Sequence, residues 1–254
     1  MSRAFGSIAR FLTGVHYVAC LSTRKWLNGS QSETIETPSR ALGGRMSQQQ
    51  TPHVALFDVG GVLVESHPEP QRVAEILGQT DDAFVSLVDQ AMWAHRASYD
   101  EGCSDREFWD RVAGDCGAPR ITDDQIAQLV AYDSIRMHDA VEPAVQIIRE
   151  LEENGIVLGI LSNAPFAIAE EIRVTAWAQH FDDFVFSCEV GSAKPHRSIY
   201  REAIERFDVD AEDAVFIDDR KKNVRAAELL GMKGLLWENA SQARADLHAL
   251  GMLK

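Results

Sequence analysis

The sequence is poor in basic residues and in long apolar runs, and both shortages restrict what the protein can bind. Lysine and arginine total 25 against 39 aspartates and glutamates, so the formal net charge is −14. Such a chain does not offer the basic face that nucleic-acid backbones require. It contains no run of about 18 uncharged apolar residues, the length a membrane-spanning helix needs. We therefore expect neither a nucleic-acid partner nor a membrane partner, and we leave the oligomeric state open.

Cysteine is also scarce. The four cysteines, Cys20, Cys103, Cys116 and Cys188, are scattered and form no C-x-x-C pair. A disulfide framework or a zinc site usually has closely spaced cysteines in a recognisable pattern. We therefore predict free thiols in a reducing environment and a cytoplasmic location.

Residues 1–50 differ in composition from the rest of the chain. Six lysines and arginines stand against two glutamates there, and the part after residue 27 is rich in Ser, Thr, Gln and Gly. This composition is typical of a flexible segment. We interpret residues 1–50 as a flexible leader. A targeting peptide, or an extension upstream of a functional start at Met46, are the alternatives.

Four apolar runs after the leader are each followed by polar side chains. The runs and these residues are 53–57 with Asp58, 156–161 with Ser162 and Asn163, 184–187 with Lys194, and 214–217 with Asp218 and Asp219. Short runs rich in β-branched and aromatic residues are typical of buried parallel strands. Ligands of doubly wound sheets bind beyond the carboxyl ends of the strands. We therefore expect these polar groups to share one site.

The residue types at the strand ends indicate a cation and a phosphate. Two carboxylates can converge on one cation, and oxygen-only ligands suit Mg²⁺. A hydroxyl with backbone donors, together with the Lys194 ammonium, can hold a phosphate. Structural roles are the alternatives, because Asp58 could cap a turn and Ser162 could cap a helix. The Gly60-Gly61 pair favours the ligand interpretation, since glycine allows the backbone to approach a ligand closely.

Helical patterns separate the predicted strands, which indicates an α/β fold with a doubly wound parallel sheet. No strand pattern interrupts residues 67–137, where Thr122 and Gln125 form a predicted capping box. We predict an inserted, small all-helical module there and an α/β core from 51–66 and 138–254. Within the insertion, two interpretations are open for Trp93, His95, Arg96 and Tyr99. They could form a patch that sets substrate specificity, or they could have ordinary structural roles in the core.

The order and spacing of the strand-end residues resemble the haloacid dehalogenase-like (HAD) hydrolase superfamily over roughly residues 53–240. Phe57 to Leu63 resembles its first motif and Leu161-Ser162-Asn163 its second. Lys194-Pro195 resembles the third motif, and Ile217-Asp218-Asp219 with Asn223 the fourth. The resemblance implies a Rossmann-like, HAD-like sheet, a helical cap and Mg²⁺ as cofactor.

The resemblance also implies a role for each matched residue. Asp58 corresponds to the nucleophile that forms an aspartyl-phosphate. The other implied roles are catalysis and phosphate contact for Lys194, phosphate binding for Ser162 and Asn163, metal binding for Asp58, the Gly60 backbone carbonyl and Asp219, and support for Asp218 and Asn223.

Gly60 departs from the pattern, because phosphatases of this superfamily usually carry a second Asp there. Glycine keeps the backbone carbonyl but loses the carboxyl group for proton transfer, which is typically worth about 10² to 10⁴ in rate. We expect a Mg²⁺-dependent phosphoric monoester hydrolase for a small phosphorylated metabolite, most effective on labile phosphates. A substitute acid such as Glu65 or His67, a phosphate-binding protein with little turnover, and a haloacid dehalogenase stay open as alternatives. The Asp218-Asp219 pair argues against the dehalogenase.

Overall fold

A five-stranded parallel sheet forms the central layer. The computed structural model describes residues 51–65 and 68–254, which belong to one structural unit, so the predicted leader, Cys20 and His67 lie outside the described residues. The strands are β1 (Val54–Phe57), β2 (Val157–Ser162), β3 (Asp183–Phe186), β4 (Ala214–Asp218) and β5 (Lys233–Leu236). Their spatial order is β3-β2-β1-β4-β5, and all neighbours are parallel.

The middle strand β1 explains why the site lies where it does. All four of its residues are buried, as its unbroken apolar run predicts for a strand covered on both faces. Phe57 pairs with Ile160 of β2 and with Ile217 of β4. The chain runs from β1 to β2 and β3 on one side, then returns to β4 and β5 on the other. The crevice beside β1 is therefore the topological switch point, where doubly wound sheets bind ligands.

Helices cover both faces of the sheet, which confirms the predicted doubly wound α/β fold. Apolar side chains of α5, α6 and α10 pack on one face, and those of α8 and α9 pack on the other. The helices are α1 (Pro70–Leu77), α2 (Asp82–Asp100), α3 (Asp105–Asp115), α4 (Asp123–Ile135), α5 (Glu142–Glu153), α6 (Phe166–Val174), α7 (Ser187–Val190), α8 (Arg197–Arg206), α9 (Lys221–Glu228) and α10 (Ala240–Ala249).

Helices α1 to α4 follow β1 and share a hydrophobic cluster of their own. The rings of Tyr99 and Phe108 stack there with centroids 4.0 Å apart. The capping box of Thr122 and Gln125 begins α4 as predicted. Helix α2 continues to Asp100, so Tyr99 is helical and buried. Helix α4 packs against α6, and α2 packs against α7, which joins these four helices to the sheet layer.

The expectations for cysteines and for membrane-spanning helices can be compared with the described residues. Cys103, Cys116 and Cys188 are free thiols, as predicted. No helix among the described residues is long and apolar enough to cross a bilayer.

Candidate active site

Asp58 stands directly after β1 and is held by three donors from three parts of the chain. Its Oδ1 accepts hydrogen bonds from the Val59 backbone N–H at 2.7 Å and from the Ser162 hydroxyl at 2.8 Å. The ammonium of Lys194 lies 2.9 Å from the same oxygen. Only 7% of the residue is exposed, so these contacts fix the carboxylate with little competition from water.

Asp218, the last residue of β4, is fully buried and has both oxygens engaged. It accepts from Lys194 Nζ at 2.8 Å, from the Arg220 backbone N–H at 2.7 Å, and from the Asn223 amide at 2.9 and 3.0 Å. These bonds hold the loop after β4 against the start of α9. Asp218 therefore acts here as a structural partner of Lys194 and Asn223.

Asp219 differs from Asp218, because its Oδ1 is buried without any hydrogen-bond partner among the described residues. Ligand oxygens of Asp58, Asp218 and Asp219 lie within 4.8 Å of one another. A free, buried carboxylate oxygen beside two more carboxylates is a donor set that suits a hard cation such as Mg²⁺. The residues present therefore fit the metal that the sequence predicts.

Gly61 allows the loop after β1 to pass close to this carboxylate. Its φ is +81°, and a Cβ at this position would lie 2.6 Å from Asp219 Oδ2. Gly60 is not among the described glycines with positive φ. Of these two adjacent glycines, Gly61 is therefore the one whose backbone conformation requires glycine.

Lys194 lies between Asp58 and Asp218 with only 1% of its side chain exposed. Asn163 fixes the lysine's backbone, because its Oδ1 accepts from Lys194 N at 2.7 Å and its Nδ2 donates to Lys194 O at 3.0 Å. The Asn163 amide is thus occupied in positioning the lysine. The second N–H of Nδ2 is the side-chain donor left for the phosphate contact predicted for Asn163.

The local electrostatics favour a bound cation. Burial raises the pKa of Asp58 to about 6, against the opposing effect of Lys194. Burial and the neighbouring Asp218 also raise the pKa of Asp219. Burial alone would raise the pKa of Asp218, but Lys194 and the hydrogen bonds from Arg220 and Asn223 outweigh it, so that pKa is lowered. Three carboxylates share one buried ammonium, which leaves excess negative charge at the site.

A small cavity of about 50 Å³ lies beside the strand ends. Its lining includes Gly60, Ser162 and Asn163 from the sheet layer and two arginines, Arg96 and Arg136, that follow or belong to the inserted helices. Glu65, which is exposed, also borders this cavity. His67, the other candidate for a substitute acid, lies outside the described residues.

The structure does not assemble the predicted specificity patch. Arg96 lines the cavity, but His95 pairs with Asp115 at 2.7 Å and Tyr99 is buried and donates to Asp105 at 2.7 Å. Trp93 is 39% exposed and borders a different, smaller cavity. Helical periodicity alone could not show which of these residues face the cavity, because the segments that pack against α2 are distant in sequence. Arg136 had no motif to signal it.

A family model described as haloacid dehalogenase-like hydrolase matches residues 52–231. The chain belongs to the haloacid dehalogenase-like hydrolases. The match includes β1 to β4 and the loops that carry the candidate site. The chain spans less than half the length of the first curated relatives it matches, and the curated relatives include phosphatases.

Two curated relatives illustrate the range of this family. Bifunctional epoxide hydrolase 2 of Rattus norvegicus is 23% identical over 215 residues, which cover 76% of this chain but only 38% of that protein. Validoxylamine A 7'-phosphate phosphatase of Streptomyces hygroscopicus subsp. limoneus is 24% identical over 210 residues, which cover 78% of this chain and 92% of the relative.

A solved structure confirms the fold. A HAD family enzyme from Bacteroides thetaiotaomicron aligns with a TM-score of 0.59 and 21% identity, over 78% of this chain and 99% of that chain. A complex of the same enzyme with magnesium and inorganic phosphate aligns with a TM-score of 0.55 and 22% identity, over 73% of this chain and 93% of that chain. At these identities the likeness concerns the fold alone.

Proposed function

We propose that the protein is a Mg²⁺-dependent phosphatase that hydrolyses a small phosphorylated metabolite through a covalent phosphate on Asp58. The observation that carries the proposal is the buried, unpaired Oδ1 of Asp219 beside Asp58 and Asp218. A phosphatase among the relatives and the magnesium and phosphate complex of the Bacteroides enzyme support it. A cytoplasmic location belongs to the same proposal.

In this mechanism Asp58 attacks the phosphorus atom and the bond to the leaving-group oxygen breaks. With its pKa raised to about 6, Asp58 is still mostly ionised at neutral pH and can act as the nucleophile. Lys194 and the Ser162 hydroxyl, both already on Asp58 Oδ1, stand where they can hold phosphoryl oxygens. Water then hydrolyses the aspartyl-phosphate and releases inorganic phosphate.

Asp58, the Gly60 backbone carbonyl and Asp219 would hold Mg²⁺, with Asp218 in a supporting role. The ion would neutralise charge on the phosphoryl oxygens. Asp218 suits the supporting role because its oxygens already accept from Lys194, Arg220 and Asn223.

We also propose that residues 67–137 form a cap over a core of 51–66 and 138–254, with residues 1–50 as a leader. The separate hydrophobic cluster of α1 to α4 supports the proposed boundary between the cap and the core. Arg96 from α2 reaches the cavity beside Gly60 and Ser162, as a residue of a substrate-covering cap would. The cap would then set the choice of substrate.

The alternative of a phosphate-binding protein with little turnover is favoured by Gly60, which removes the carboxyl group for proton transfer. It predicts tight binding of phosphate with Mg²⁺ but no product. A haloacid dehalogenase, the weaker alternative, predicts release of halide from a 2-haloacid that a chelator does not affect.

The decisive experiment measures phosphate release from acetyl phosphate, glucose 1-phosphate and glycerol phosphate, with Mg²⁺ and with chelator. We expect Mg²⁺-dependent release by the wild type, and loss in Asp58→Asn and Asp219→Asn. Asp124→Asn, which changes an exposed aspartate at the start of α4, is the matched control and should behave as wild type. Equal rates with and without Mg²⁺, or full activity of Asp58→Asn, would refute the proposal.

A further inference from the structure

Two arginines from the side of the inserted helices reach the cavity beside the strand ends, and each is paired with aspartates that complete a network of four charged side chains. Arg96 of α2 and Arg136, just after α4, line the cavity together with Gly60 and Ser162. Sequence motifs assign no role to this network. Ser162 lines the same cavity and donates to Asp58, so the cavity adjoins the position of a phosphate held at Asp58.

Both guanidinium groups already have carboxylate partners. Arg96 Nε donates to Asp100 at 2.7 Å and its Nη1 lies 3.5 Å from Asp133. Arg136 Nη2 donates to Asp133 at 3.0 Å and its Nη1 to the backbone carbonyl of Glu65 at 2.9 Å. Two arginines and two aspartates make the network neutral. The four side chains are between 4% and 22% exposed, so water screens them poorly.

Arg96 keeps a donor for a ligand. All three nitrogens of Arg136 donate to Asp133 or to Glu65. Within residues 51–65 and 68–254, Arg96 donates through Nε and Nη1, and its Nη2 has no protein acceptor. A ligand in the cavity can therefore receive a hydrogen bond from Arg96 without breaking the network.

The network is also fixed relative to the strand ends. The hydroxyl of Ser187, fully buried after β3, donates to the backbone carbonyl of Asp100 at 2.5 Å. The same oxygen accepts from the Ala164 backbone N–H at 3.0 Å, two residues after Ser162. Ser187 thus joins the end of α2 directly to the loop that follows Ser162.

We propose that Arg96, Asp100, Asp133 and Arg136 form the leaving-group subsite and select an uncharged, hydroxyl-bearing leaving group over one that carries a second anion. A hydroxyl can accept from a guanidinium and donate to a carboxylate, so it fits a set of paired charges. A second anion would find both arginines already paired with carboxylates, so the cost of taking it out of water would be poorly compensated. This inference rests on the phosphatase function proposed above.

The test compares α-D-glucose 1-phosphate with α-D-glucuronic acid 1-phosphate, which share the ring and the scissile bond but differ by one carboxylate. We expect kcat/KM for the neutral sugar to be higher by about tenfold or more, since like charges brought together at a desolvated site are strongly disfavoured. Equal values, or a preference for the uronic acid, would overturn the inference.

A substitution tests whether the network causes the discrimination. Asp133→Asn removes one carboxylate from both arginines and should narrow the ratio between the two substrates severalfold, whereas Asp124→Asn in the same helix should leave it unchanged. A thermal melt establishes that Asp133→Asn folds. If it does not, Arg96→Met is the second variant, and it should reduce turnover of glucose 1-phosphate more than turnover of acetyl phosphate. An unchanged ratio in a folded Asp133→Asn, or equal losses in Arg96→Met, would contradict the assignment.

Acetyl phosphate separates the two levels of the proposal, because its leaving group is too small to depend on the subsite. Mg²⁺-dependent cleavage of acetyl phosphate together with a preference for the uronic acid would refute the subsite alone. No cleavage of any of the three compounds would refute the phosphatase function and, with it, the subsite.

Discussion

Replacing Gly60 with aspartate should speed the hydrolysis of phosphates with poor leaving groups. Gly60 borders the reaction cavity, and its backbone does not require the left-handed conformation that Gly61 adopts. The backbone at Gly60 should therefore accept the aspartate of Gly60→Asp. A restored proton donor should raise the rate for glycerol phosphate by about 10² to 10⁴, the usual contribution of general acid–base catalysis. Acetyl phosphate, whose leaving group departs without a proton, should change little.

The assay plots log kcat/KM against leaving-group pKa for a series from aryl to alkyl phosphates. The slope should be steep in the wild type and flatter in Gly60→Asp. Gly60→Asn is the matched control, because asparagine has nearly the same size but cannot transfer a proton. Melting temperature and Mg²⁺ binding are measured first. Gly61→Ala, unlike Gly60→Asp, should disrupt the site, because a Cβ at position 61 would lie 2.6 Å from Asp219 Oδ2.

Two results would refute this reasoning. One is a wild type that cleaves alkyl phosphates as fast as labile ones, which would mean that another group supplies the proton. Glu65→Gln should then steepen the slope, since Glu65 borders the same cavity, and His67→Ala is the parallel test. The other is an equal gain in Gly60→Asn and Gly60→Asp, which would exclude proton transfer as the cause. Breakdown of the aspartyl-phosphate also needs an activated water, so quenched wild-type reactions should contain trapped phosphoenzyme.

Three further predictions address the site and the leader. Lys194→Met leaves the carboxylates of Asp58 and Asp218 buried without their ammonium, so chemical denaturation should show a loss of about 3–5 kcal/mol in unfolding free energy along with loss of activity; an unchanged free energy would contradict the geometry. Because burial raises the pKa of Asp58 to about 6, kcat/KM should fall as pH drops through that value and the nucleophile becomes protonated. A bound cation favours the carboxylate, so the apparent pKa in a pH–rate profile should decrease as Mg²⁺ is raised, and independence from Mg²⁺ would count against a shared site. Deleting residues 1–45 should leave activity and melting temperature nearly unchanged, since the family match begins at residue 52; a large loss of either would show that the segment packs on the domain.

The sequence alone was sufficient to predict the sheet and the residues at its strand ends. Apolar runs that end in polar residues predict parallel strands, and the carboxyl ends of parallel strands meet at one edge. That rule anticipated that Asp58, Ser162, Lys194 and Asp218 would come together, although they are spread over 160 positions, from residue 58 to residue 218. The periodicity of strands and helices is a local property, which is why it can be recognised without tertiary contacts.

Only the tertiary structure decided how these groups share their contacts. Asp218 and Asp219 are adjacent in sequence and chemically identical, yet one has its oxygens engaged and the other keeps a free, buried oxygen. Likewise, Gly61 rather than Gly60 takes the left-handed conformation, and Gly61 also lies against Asp219.

The network of Arg96, Asp100, Asp133 and Arg136 is the other feature that depends on tertiary structure, since only Arg96 was a candidate from the sequence. Arg96 meets Asp133 across 37 positions of sequence, and the pair forms only once the shared hydrophobic cluster of α1 to α4 brings α2 and α4 together. The alternation of strands and helices thus predicted the fold and the edge of the sheet at which the strand-end residues meet. Long-range packing decides which partner each charged group has, because hydrogen bonds and ion pairs form between groups that distant segments bring within about 3 Å. The selectivity proposed for the leaving-group subsite depends on these partners.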